Sequence, residues 1–167
     1  MALMPADVLQ AAVAEAHRLQ LKVYVHAPQL ARAKETLRAG VDGLLHGIID
    51  EPIDPDFLEL MKKNGALYVP TLGMFEDVAD VSAFAKRQAP HWDSLGLTPS
   101  AIYQSYIGGQ GAQLFRTLLN NSASAREHLP VLRANLKNVF DAGIPIVMGT
   151  DTGFFGVLLG VATPIEM

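Results

Sequence analysis

The chain of 167 residues contains no cysteine, so it can form neither a disulfide framework nor a thiolate metal site. Any metal would have to be held by His, Asp and Glu. Basic charge is also sparse. Thirteen Lys and Arg against 17 Asp and Glu give a formal net charge of -4, and no more than two cations stand together, so no stripe exists to follow a phosphate backbone. Nucleic acid is therefore not expected as a partner. Long apolar runs are missing too: the longest, Phe154 to Ala162, falls well short of the roughly 20 residues that cross a bilayer, and its Gly156 and Gly160 gain no meaning from membrane-helix spacing. No membrane partner is expected. The opening MALMPADVLQ lacks a basic segment followed by an apolar core, the pattern of a signal peptide.

What the chain does have is apolar substance. Hydrophobic residues make up 50% and charged residues 18%, the composition of a globular protein with a packed interior. The length predicts a single domain over residues 1–167, or part of one.

Val8, Leu9, Ala12, Val13, Ala16 and Leu19 recur at three- and four-residue spacing, which puts them on one face of a helix that Pro5 and Asp7 begin. The period then changes. LKVYVHA, residues 21–27, is β-branched, aromatic and short enough to be a strand. The cycle repeats with a helix LARAKETLRAG ended by Gly40, a strand VDGLLHG, a helix DPDFLELMKKNG ended by Gly65, and a strand ALYVPTL. After a longer helical region, a helix from about Ala125 ends at Gly143 and delivers the strand IPIVMGTD. Four strands alternating with helices predict a parallel α/β sheet, and near-continuous apolar strands predict cover on both of its faces. The stretch from about 75 to 121, interrupted by APHWDSLGLTPS and YIGGQG, departs from the short repeat and is expected to form a helical lid. Its GGQG, Gly108 to Gly111, follows a helical segment instead of a strand and reads as a turn, not a phosphate loop.

In parallel α/β architectures ligands bind at the carboxyl ends of the strands. The four predicted strands end in His26, His46, Thr71 and Asp151, so the fold would bring to one rim residues that lie far apart in sequence. Imidazole and carboxylate suit a borderline divalent ion such as zinc, which leaves a position open for water and ionises it near neutral pH. His26, His46 and Asp151 are the candidate ligands, with Asp151 also a candidate proton shuttle and Thr71 a candidate substrate contact. Each has a plainer reading as well. A lone strand-end histidine is commonly a hydrogen-bonded structural residue, and Asp151 could cap a helix or fix the turn TDTG. His17, His91 and His128 fall on a helix, in the lid and near a helix start, and read as surface or packing residues.

EAHRLQLKVYVHA, AGVDGLLHGIID, LMKKNGALYVPTL and AGIPIVMGTDTG, taken in order, resemble the second half of an amidohydrolase-superfamily barrel, nearest to imidazolonepropionase-like and Xaa-Pro dipeptidase-like members. The resemblance implies a parallel (β/α) half-barrel, strands five to eight of a TIM-like barrel, with a helical insert before the last strand. It implies His26 and His46 as the fifth- and sixth-strand metal ligands and Asp151 as the eighth-strand aspartate that binds metal and serves as general base. The activity implied is hydrolysis of an amide, cyclic amide, dipeptide or related ester bond in a small molecule by metal-activated water. The family's His-x-His pair and fourth-strand bridging ligand have no counterpart, so the chain alone is expected to be inactive. Where dipeptidase-like members carry a tyrosine two positions after the fifth-strand histidine, Pro28 stands instead. A full barrel takes roughly 250 residues, so self-association, or pairing with the missing half, is expected to cover the open sheet. Two other readings stay open: a non-catalytic half-barrel that associates with itself or a partner chain, and a freestanding α/β sandwich with structural His and Asp.

Overall fold

In a computed structural model, residues 4–80, 101 and 122–152 are described. The chain divides into two compact units, Met1–Pro70 with Val131–Val147, and Thr71–Pro130 with Met148–Met167. The GGQG turn, His91 and most of the expected lid lie outside the described residues.

The first unit carries the βα alternation. Helix α1 (Ala6–Arg18) precedes β1 (Tyr24–His26), α2 (Leu30–Arg38), β2 (Gly43–Leu45), α3 (Pro55–Asn64) and β3 (Leu67–Val69). The strands are parallel and lie in chain order, with Tyr24 opposite Gly43 and Gly43 opposite Leu67. Local chemistry sets the helix ends. Asp54 caps α3 by accepting the Phe57 N–H at 2.9 Å, and Pro55 follows, where a missing N–H costs nothing. Gly65 ends that helix at φ 58°, a left-handed conformation that a glycine adopts without a steric penalty.

The core is the seam between sheet and helices. Leu30, Leu37, Leu44, Phe57, Met61, Tyr68 and Val139 are buried there, and the Phe57 and Tyr68 rings meet edge to face with centroids 6.4 Å apart. Val139 belongs to α5 (Ser122–Asp141), whose residues from Val131 on fall in the first unit. Lys34 on α2 meets Asp54 at 2.7 Å and Asp56 at 3.2 Å, and Arg38 meets Asp56, which ties α2 to α3.

Three expectations change. The fourth strand shrinks to one parallel bridge, Tyr68 to Ile146, formed by Tyr68 N–H donating to Pro145 O at 3.0 Å and Val147 N–H donating to Tyr68 O at 2.9 Å. Two prolines stop it. The next rung on one side requires an N–H at Pro70 and on the other an N–H at Pro145, and neither exists. Cover on both sheet faces also fails at the margins, since Tyr24 and His26 on the outer strand β1 are exposed, as are Val147 and Met148. On α1 only Val13 of the predicted apolar face is buried, with Leu9 packed beside the core, while Val8 and Leu19 stay exposed. Among the described residues no helix is long and apolar enough to cross a membrane.

In the second unit, α4 (Leu72–Ala79) runs directly on from Thr71 and packs Met74 against Phe75 and Val78.

Candidate functional site

His26 closes β1, and His46 stands one residue past β2. The register pairs His26 with Leu45, and side chains alternate along a strand, so a regular continuation of β2 would turn His46 to the face opposite His26. The chain leaves that pleat. His46 has φ 70°, a left-handed backbone uncommon outside glycine, and its ring meets that of His26 edge to face with centroids 4.5 Å apart. Residues 20 positions apart are thus brought together at the carboxyl end of adjacent parallel strands, with His26 exposed and His46 half-buried.

The loop after His46 is held on several sides. Gly47 N–H donates to Pro70 O at 3.0 Å, and Ile49 N–H donates to Pro28 O at 2.9 Å, joining this loop to those that follow the other two strands. Asp50 accepts the Leu30 N–H at 2.9 Å and so caps α2 from outside. Ile48 N–H donates to the Tyr68 hydroxyl at 2.8 Å. Burial pushes that hydroxyl up to about 12, with the Ile48 bond pulling weakly the other way, so Tyr68 stays protonated at neutral pH. Asn135 makes three further bonds to the loop backbone.

Tyr68 and Asn135 are not among the residues that sequence reasoning singles out. Tyr68 reads there as one more apolar strand residue. Asn135 carries a readable signal, because it sits between Leu132 and Val139 on the buried stripe of α5, where an unpaired amide would be costly.

Thr71 and Asp151 belong to the second unit. Thr71 is buried and precedes α4 with φ 47° and ψ 43°, which is an outlier for a β-branched residue. Asp151 is exposed, with φ 52°. Its turn is closed by the Thr150 hydroxyl, which bonds the Thr152 hydroxyl and accepts the Thr152 N–H, so the Asp151 carboxylate is left out of that closure. His17 serves structure: its Nε2 lies 2.8 Å from Asp42, which also holds Lys22 at 2.7 Å and accepts the Val23 N–H.

Among the described residues no group of three or more His, Asp or Glu is gathered to hold a metal ion. His26 and His46 bring two imidazoles together, the donor type that borderline divalent ions accept, and a complete shell would need further donors.

No family model and no curated protein matches this sequence. Solved structures do share its fold. A Xaa-Pro dipeptidase with methionine bound in its active site superposes with a TM-score of 0.62 at 24% identity, over 98% of this chain and 32% of that one. Ochratoxinase of A. niger superposes with a TM-score of 0.58 at 21% identity, over 90% of this chain and 26% of that one. The resemblance read from the four motifs is thus matched at the level of fold, as part of a (β/α) barrel. The chain spans about a third of the dipeptidase chain and about a quarter of the ochratoxinase chain.

Proposed function

We propose that this chain is part of a metal-dependent amidohydrolase that cleaves an amide, cyclic amide, dipeptide or related ester bond in a small molecule. The observation that carries the reading is the pair of imidazoles from adjacent parallel strand ends, 4.5 Å apart between ring centroids, kept together by a left-handed backbone at His46. Backbone outliers of this kind persist only where the surroundings over-determine them, and they cluster at working sites.

His26 and His46 act as nitrogen ligands, and Asp151 adds a carboxylate, as the motif resemblance implies. The ion is zinc by the preference of mixed imidazole and carboxylate donors. When bound it supplies Lewis acidity, polarising the scissile carbonyl and lowering the pKa of water. Asp151 takes the proton of the attacking water and returns it to the leaving nitrogen or oxygen. Thr71 contacts substrate. The remaining ligands would join from elsewhere in the assembled protein, and the exposed Leu19, Leu21 and Tyr24 are an apolar surface that a neighbouring part of it would cover.

The test is metal analysis of the purified chain, together with its mass in solution, for the wild type and for H46A and H26A. Stoichiometric divalent metal, lost in both variants while the fold persists, supports the reading. A folded chain whose metal content is the same in the wild type and both variants refutes the ligand assignment.

A further inference from the structure

Asn135 is fully buried on α5, 0% exposed, and commits its whole side-chain amide to the loop after His46. Nδ2 donates to Ile48 O at 3.0 Å and to Glu51 O at 2.8 Å, while Oδ1 accepts the Ile53 N–H at 2.9 Å. The hydroxyl of Tyr68, equally buried, takes the Ile48 N–H at 2.8 Å. Gly47 is closely enclosed as well, since a Cβ there would lie 2.1 Å from Leu132 Cδ1 and 3.0 Å from the Tyr68 hydroxyl. The residues just after His46 are therefore fixed in position by a helix amide and a strand hydroxyl from elements distant in sequence. Such fixing meets a specific need. His46 departs from the pleat at φ 70°, whereas His26 at the end of β1 does not, and it is the His46 loop that these two buried groups hold.

We infer that Asn135 and Tyr68 are positioning residues for His46: through the backbone of residues 47–53 they keep His46 in its left-handed conformation and so keep its ring against that of His26. The inference rests on the proposed reading of the two histidines as metal ligands, and it adds the residues that set their geometry. Both groups bond the backbone of the loop. Their action parallels that of the outer partners of metal-binding histidines in general, whose loss weakens metal affinity without removing a ligand.

The variants Y68F and N135L keep side-chain volume and remove the polar groups. Asn64→Ala is the control, because the Asn64 amide donates to Leu37 O at 2.6 Å and Val41 O at 3.4 Å, bonds to a different connection. Two readouts separate positioning from plain stability: the proton nuclear Overhauser effect between the His26 and His46 rings in the metal-free chain, and Co²⁺ affinity by absorbance titration. The expected result, at a temperature where all variants are folded, is disappearance of the ring-to-ring Overhauser effect and a roughly 10–100-fold weaker Co²⁺ affinity in Y68F and N135L, with both retained in N64A. If N135L does not fold, Y68F alone decides. An Overhauser effect and a Co²⁺ affinity unchanged in the folded variants would overturn the inference, as would equal losses in N64A. H46A distinguishes a failure of positioning from a failure of the ligand reading. Co²⁺ binding that survives H46A refutes the ligand reading, while separation of the two rings in Y68F still upholds positioning.

Discussion

Gly47 follows His46 directly, and replacing it with alanine pits two effects of opposite sign against each other. Its φ is not among the positive ones, so alanine is allowed by the backbone and, by restricting the unfolded chain, would stabilise by about 0.4–1 kcal/mol on that ground alone. Contacts oppose this. A Cβ built there lies 2.1 Å from Leu132 Cδ1, 3.0 Å from the Tyr68 hydroxyl and 3.4 Å from Pro70 O. Leu132 is fully buried, so its methyl cannot swing into solvent and must take a poorer rotamer or push α5 outward. Overpacking of this kind costs about 1–3 kcal/mol. The net expectation is a destabilisation of about 1–2 kcal/mol, or a Tm lower by roughly 2–8 °C in a domain of this size. Thermal unfolding followed by circular dichroism measures it. The double variant isolates the steric effect: L132A alone opens a cavity and costs about 2–5 kcal/mol, yet on that background G47A becomes neutral or stabilising. Strictly additive effects, or a higher Tm for G47A alone, would refute the reasoning.

Asp42 predicts an acid limb of stability. Burial by itself raises its pKa, but the Lys22 ammonium, the Val23 N–H and His17 outweigh that and hold it at about 2. A carboxylate depressed in the folded state adds stability above its unfolded pKa that is lost as pH falls from about 4 through 2; with Lys22 and His17 largely exposed the contribution is about 1–2 kcal/mol, and D42N, followed by urea unfolding at pH 3 and 6, should remove this part of the slope. Asp77 predicts the opposite limb. It is 1% exposed on α4, its Oδ2 has no hydrogen-bond partner, and burial raises its carboxyl to about 7. Folding therefore favours the protonated form, so stability present below about pH 4 is lost as pH rises to 7, by on the order of 3–4 kcal/mol. D77N should flatten that loss and exceed the wild type in stability at pH 8, and a wild-type urea midpoint that does not fall between pH 5 and 8 would exclude it.

Much of the fold is legible because the sequence switches period at defined punctuation. Asp54, Pro55 and Gly65 mark a helix whose cap, first residue and left-handed end are those that local chemistry dictates. The strands are shorter than their composition suggests. LKVYVHA is seven residues long, but only Tyr24 to His26 pair with β2, because β propensity describes fit to a pleated surface and the neighbouring strand determines where pairing stops. The truncation of the fourth strand is readable in principle, since Pro70 and Pro145 are visible in the sequence. What the sequence does not contain is register, and only the register shows that both missing N–H groups fall on the rungs flanking Tyr68 and Ile146. Asn135 and Tyr68 escape for the same reason: a bond between Ile53 and Asn135 spans 82 residues.

A left-handed backbone is uncommon outside glycine. Among the described residues the left-handed non-glycine positions are Gln20, His46, Thr71 and Asp151. Gln20 ends α1, where such a turn is common. The other three are the residues that follow β2, β3 and the segment bridged through Ile146, the same three that strand-end chemistry singles out from the sequence alone. Histidine and aspartate tolerate this conformation better than most residues, but a buried threonine does not, and at about 1–3 kcal/mol per strained residue a fold under selection for stability alone would place glycine or asparagine there. Each of these outliers is a position whose surroundings over-determine the backbone. His26, the fourth member, keeps an ordinary strand backbone, and the ring contact is made by His46 turning toward it.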